Sequence, residues 1–198
     1  MSVKKFFAPL ALMVVLALAN GSAMAQNTRI FVFGTTNVNL SSGFLDALQS
    51  LNVTPGVIGP TQLFGTEVNF PIIGGALDLD TTLGNVEHAG GLTLTAGNTV
   101  LGIQNFTIDT TGAAPVITGL AVLNGAVLGR VTLFDLVLPS NVKPPLNLYY
   151  GSVFYLNGVT VNLDGGAAKT LNHIFGTTAF KGGFNIGTAK VEALTTKE

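Results

Sequence analysis

Between residues 67 and 138, apolar and polar positions alternate in short runs that Gly and Asn interrupt. Leu92-Thr93-Leu94-Thr95 has a period of two, Ala96-Gly97-Asn98 turns the chain, and an apolar run resumes at Val100 to end in the alternating Phe106-Thr107-Ile108-Asp109. A period of two places successive side chains on opposite faces of a strand. Thr, Val and Ile supply the stiff β-branched side chains that pack on a pleated face. Asn124-Gly125 and Asn157-Gly158 each separate two such runs. An Asn-Gly pair in that setting predicts a two-residue hairpin with a type I′ turn.

The period changes twice. After Ser41-Ser42-Gly43, the residues Phe44, Leu45, Leu48 and Leu51 fall at helical spacing, and after Asp164-Gly165-Gly166 so do Ala167, Ala168, Leu171, Ile174 and Phe175. Ser and Asp are good N-caps because their side-chain oxygens accept free amides of the first turn. The two units correspond: Val38-Asn39-Leu40 with Val161-Asn162-Leu163, Gly43 with Gly166, Leu48 with Leu171. An internal duplication and two uses of one capping solution both account for the match. The expected fold is mainly β, an antiparallel β-sandwich or open barrel, with two short helices that each follow a strand and cover an open end or face. Pro139-Ser140-Asn141-Val142-Lys143-Pro144-Pro145 reads as a stiff loop rather than a linker, so residues 26–198 form one domain.

The first 25 residues read as an address. Lys4 and Lys5 form a basic start, an apolar run covers residues 6–19, and Ala23-Met24-Ala25 is a cleavage site that would leave Gln26 as the mature start. The run falls short of the roughly 20 apolar residues of a membrane span, and no transmembrane anchor is expected after cleavage. The setting is therefore export, to the periplasm or the medium. Composition narrows the chemistry. The chain has no Cys, which removes disulfides and thiolate metal sites, and only 10% charged residues. Past the basic start, seven Lys/Arg face ten Asp/Glu, a balance that disfavours nucleic acid.

Chemically versatile side chains are few. His88 ends Gly84-Asn85-Val86-Glu87-His88 and precedes Ala89-Gly90-Gly91, a strand end whose glycines allow close backbone approach to a ligand; an ordinary turn histidine is the plainer reading. His173 falls beside the apolar stripe of the second helix and reads as a surface histidine. Tyr149, Tyr150 and Tyr155 lie close together; a tyrosine can ligate haem iron, or pack with its hydroxyl at a rim. Asp78, Asp80, Asp109 and Asp135 read as solvated strand ends and caps rather than an acid/base or metal-binding set. No nucleophile elbow, phosphate loop or dinucleotide fingerprint is present, so an enzyme is not expected.

The segments Phe70-Pro71-Ile72-Ile73-Gly74-Gly75-Ala76-Leu77-Asp78, Gly84-Asn85-Val86-Glu87-His88-Ala89-Gly90-Gly91-Leu92-Thr93-Leu94, Asn105-Phe106-Thr107-Ile108-Asp109-Thr110, Leu171-Asn172-His173-Ile174-Phe175-Gly176 and Ile186-Gly187-Thr188-Ala189 occur in that order. The chain thereby resembles a group of uncharacterised secreted bacterial β-proteins and, more distantly, the HtaA-type haem-uptake domain. That resemblance implies haem held by a strand-end His, matched by His88, beside a Tyr from the N-terminal segment. Here Glu87 stands where the family has Gly before the His, and residues 29–40 contain no Tyr. The expected function is an exported, non-enzymatic binding or envelope/extracellular structural domain that requires no cofactor. Two alternatives stand beside it: haem uptake using His88 with a Tyr of the 149–155 group, and an apolar small-molecule binding module, which the low charge and abundant Leu, Val and Ile would suit. Exposed sheet edges would allow self-association. An eight-stranded outer-membrane barrel fits the length, but the chain has no Trp for aromatic girdles and two helical units interrupt the strands.

Overall fold

The computed structural model describes residues 27–148 and 151–197. The expected signal peptide, Tyr149 and Tyr150 lie outside the described residues. In chain order the elements are β1 (Thr28–Leu40), α1 (Ser42–Ser50), β2 (Thr54–Ile58), β3 (Gln62–Phe64), β4 (Glu67–Asp78), β5 (Gly84–His88), β6 (Gly91–Ala96), β7 (Thr99–Asp109), β8 (Val116–Leu123), β9 (Ala126–Val137), β10 (Val153–Leu163), α2 (Gly165–Phe175) and β11 (Asn185–Lys197). The mainly antiparallel β architecture and the two short helices, each following a strand, are as the sequence predicts.

Eight strands close into a barrel in the order β1-β4-β5-β7-β8-β9-β10-β11, with β7 pairing β8 to complete the ring. The barrel is thus closed, where the alternation alone left a sandwich or an open barrel. β7 carries two partners on one edge: residues 107–109 pair with β5, and residues 99–104 pair with β6, which in turn pairs with β2. The switch falls at a bulge where Asn105 takes a left-handed φ of 53°. Bulges of this kind re-aim side chains beside a sheet junction.

Local chemistry explains the elements. Ser41 Oγ accepts the Phe44 amide at 3.1 Å, and Asp164 Oδ1 accepts those of Gly166 and Ala167 at 2.7 and 2.9 Å. Gly176 ends α2 in the left-handed conformation, which Gly adopts without a Cβ penalty. Asn124 and Gly125, both at positive φ (49° and 85°), form the β8–β9 turn as expected. Asn157-Gly158 does not turn the chain. It is a bulge inside β10, where the register with β11 slips between Asn157 and Val159 and Gly158 takes φ 82°. A continuous β11 holds both halves of β10, so the pair kinks the strand instead of reversing it.

The interior is apolar and divides along the barrel axis. Val38, Leu40, Val68, Phe70, Val161 and Leu163 fill one end together with Phe44 and Leu48 of α1 and Ala167 and Ala168 of α2. Phe31, Ile72, Leu77, Val86, Phe154 and Val191 fill the other. Outward positions of β11 read Thr188, Lys190, Glu192, Leu194 and Thr196, which is not the continuous apolar band of a lipid-facing strand. No helix among the described residues is long and apolar enough to cross a membrane.

Candidate functional site: a helix-covered apolar cavity beside a buried histidine

His88 closes β5 directly opposite Ile72 of β4, and its side chain turns into the barrel, where the residue is 3% exposed. Its Nδ1 lies 3.3 Å from the carbonyl of Phe106, just past the β7 bulge, and its Nε2 lies 2.7 Å from Thr36 Oγ1 on β1. A carbonyl only accepts, so Nδ1 carries the hydrogen and Nε2 accepts from the Thr36 hydroxyl. Burial pushes the imidazole down from 6.5 to about 4, with the backbone hydrogen bonds offsetting part of that. His88 is therefore neutral near pH 7 and ties β1, β5 and β7 together from inside. The glycines that follow it do allow a close approach, but to the chain itself. Gly90, at φ 81°, faces Thr61 and the Ile58 carbonyl, and Thr61 Oγ1 accepts the Gly91 amide at 2.9 Å. The space beside His88 measures only about 50 Å³.

A much larger cavity, about 540 Å³, lies between α2, the tip of α1 and the sheet formed by β6, β7, β8 and β9. The sequence makes it by capping α2 against β9, through Asp164 and its amide bond to the Leu133 carbonyl at 3.0 Å, while α2 turns Gly166, Ala167, Thr170 and Leu171 toward the space. The single methyl group of Ala167 leaves unfilled the depth that Leu or Phe would occupy there. The lining is mostly Leu, Ile, Phe and Val, with Thr132, Asp164 and Thr170 as its polar members. Leu128 and Val131 belong to the lining and are 51% and 42% exposed, so an apolar rim opens along β9. Phe134 and Ile186 line this cavity on one side and the His88 space on the other. A third cavity of about 280 Å³ lies at the far end of the barrel, where Leu146 is tethered by its amide to the Leu79 carbonyl at 2.7 Å.

The other sequence candidates are placed apart. Tyr155 stands on the outer face of β10 opposite Glu192, with the barrel wall between it and His88. His173 is exposed in the last turn of α2. Asp78 Oδ1 accepts the amides of Asp80 and Thr81, and Asp109 Oδ1 accepts the amide and hydroxyl of Thr111, so both act as turn caps. No group of three His, Cys, Asp or Glu among the described residues has metal-binding geometry. Sequence reading missed Thr36 and the α2 cavity. The one available signal for the cavity was the small Ala167 on the buried stripe of α2.

No family model and no curated protein sequence matches the chain. Solved structures do. The C-terminal domain of HtaA from Corynebacterium glutamicum matches with TM-score 0.66 at 14% identity, covering 85% of this chain and 99% of that one. The N-terminal domain of the same HtaA gives 0.61 at 11%, covering 84% and 99%. The heme binding protein HtaB from that organism gives 0.59 at 12%, covering 85% and 96%. The chain therefore shares the fold of HtaA and HtaB, the distant likeness its Gly-Leu motifs imply.

Proposed function

We propose that this is an exported, non-enzymatic binding protein that holds an apolar small molecule in the cavity beneath α2. The observation that carries the reading is the cavity itself: about 540 Å³, apolar, rimmed by exposed Leu128 and Val131, within the roughly 300–1,000 Å³ range of small-molecule sites. Enclosure of that much apolar surface in a small domain costs stability unless something fills it. The test is a fluorescence titration with the neutral dye N-phenyl-1-naphthylamine, alongside the cavity-filling variant Ala167→Phe. Saturable one-to-one binding that falls at least tenfold in a variant that still melts cooperatively is the expected result. No saturable binding, or equal binding by the two proteins, overturns the reading.

Haem uptake is the second reading, and the shared fold with HtaA and with the heme binding protein HtaB favours it. Among the described residues, the cavity lining offers no imidazole, phenolate or thioether to an iron. His88 would have to give up its bond to Thr36 to ligate, and Tyr149, Tyr150 and Tyr155 are the phenolates this reading would call upon. A hemin titration of the wild type and His88→Ala decides it. A one-to-one Soret shift lost in the variant supports haem ligation by His88, and the absence of a shift removes it.

Export, with release to the periplasm or the medium, follows from the leader pattern as a proposal. Nucleic acid is not among the proposed partners. Among the described residues, β2 and β3 end the sheet as edges through which two copies could pair, with Pro55 blunting β2, and β9 offers a further edge because it meets β10 only from Phe134 to Val137.

A further inference from the structure

We infer that the ligand of the α2 cavity is uncharged, an apolar chain or ring system ending in a hydroxyl rather than a carboxylate. This rests on the cavity being the binding site. Among the described residues, no Lys, Arg or His belongs to its lining, and its one ionisable member is Asp164. An anion moved into such a space loses hydration and meets no cation in return.

The lining does contain a place where backbone amides converge, the first turn of α2, which in other settings would take an anion. Here Asp164 already occupies it, with Oδ1 accepting the Gly166 and Ala167 amides, so the helix end is satisfied from within. The cations nearest in sequence are turned elsewhere. Arg130, beside Val131, bonds the Thr118 hydroxyl at 3.1 Å and the Asn105 carbonyl at 2.8 Å on the outer face of the sheet, and Lys169, beside Thr170, is exposed.

Of the two threonines in the lining, Thr132 can donate or accept, and Thr170 is the one that suits a hydroxyl. Thr170 Oγ1 donates to the Gly166 carbonyl at 3.1 Å, which leaves its lone pairs to accept. An alcohol supplies the matching O–H, whereas an ionised carboxylate only accepts. The space beyond Phe134 and Ile186 adds no charge, since His88 is neutral there. The two propionates of hemin face the same lack of a cation.

Displacement of N-phenyl-1-naphthylamine from the purified protein at pH 7.5 tests this, with 1-hexadecanol and hexadecanoate as chain-matched competitors below their aggregation limits. The alcohol is expected to displace the dye at a concentration at least tenfold lower than the acid. Asp164→Asn keeps a good capping side chain and removes the charge, and is expected to narrow that ratio at least threefold. Equal or better displacement by hexadecanoate overturns the charge preference while leaving the cavity as the site. Displacement by the alcohol that persists in Ala167→Phe, or no dye binding at all, overturns the site itself.

Discussion

At the level of single residues, His88 carries a consequence for pH. Its pKa is lowered from 6.5 to about 4 because the imidazole is buried, the backbone hydrogen bond of its Nδ1–H to Phe106 offsetting only part of that. Between those two values the unfolded chain binds a proton that the folded one refuses. Its contribution to stability is therefore fully present above pH 6.5 and is lost as the pH falls toward 4, by about 3 kcal/mol over that window. Asp109 is shifted down by the Thr111 hydroxyl and amide, so its own contribution fades only below the ordinary carboxylate value of 3.8, outside the window. Urea midpoints of the wild type and His88→Gln at pH 7.0, 5.5 and 4.5 measure the effect. The wild type should lose stability faster across the series, and parallel curves would show that His88 is not the coupled group. His88 stands out in the sequence as one of only two histidines, but its partners do not. Thr36 is one of many threonines at alternating positions, and it meets His88 only because β1 and β5 flank β4 in the closed ring. Tyr155, equally visible in sequence, ends on the outer surface, because adjacent positions on a strand face opposite ways and nothing local says which way is in.

Among the elements, the helices were the most legible, since their caps and their spacing are both local. Asp164→Ala should cost about 1 kcal/mol through the two lost amide bonds, read as a Tm lower by about 2–4 °C for a domain of this size. An unchanged Tm would mean that α2 starts without help from its cap. The turns show where local reading stops. Asn124-Gly125 and Asn157-Gly158 have the same dipeptide and similar flanks, yet one makes a hairpin and the other a bulge. The difference lies in the partner. β8 and β9 pair with each other across the turn, whereas both halves of β10 are held by β11, a strand more than twenty residues away in the chain. The α2 cavity belongs to this scale too. An alanine such as Ala167 on a helical stripe looks like ordinary core in sequence, and only the placement of the helix, pinned to β9 through Asp164 and Leu133, leaves a space beside it.

For the molecule as a whole, closure is the property that alternation could not give, because an inward-facing row reads alike in a sandwich and in a barrel. Closure depends on β11. It is inserted between β1 and β10 along nearly its full length, joining the two ends of the chain, and Ile186, Ala189, Val191 and Ala193 from its inner face enter both ends of the core. Thr195 is buried as well, its hydroxyl donating to the Ser152 carbonyl at 2.8 Å. A chain stopped after Phe184 would leave the ladder edges of β1 and β10 unpaired and the interior open along one side. Unpaired ladders that flank exposed apolar surface are a template for association between copies. The truncated chain should therefore show no cooperative thermal transition and should elute in size-exclusion chromatography as aggregate. Removing only the exposed Lys197 and the terminal Glu198 should leave Tm within about 2 °C of the full-length protein, a change of well under 1 kcal/mol at this size. A cooperative, monomeric product from the longer truncation would mean that β1 and β10 can pair directly. In that event the barrel would be an eight-stranded closure of convenience around a seven-stranded core, and the cavity beneath α2 would have to be held by β9 and the helix cap alone.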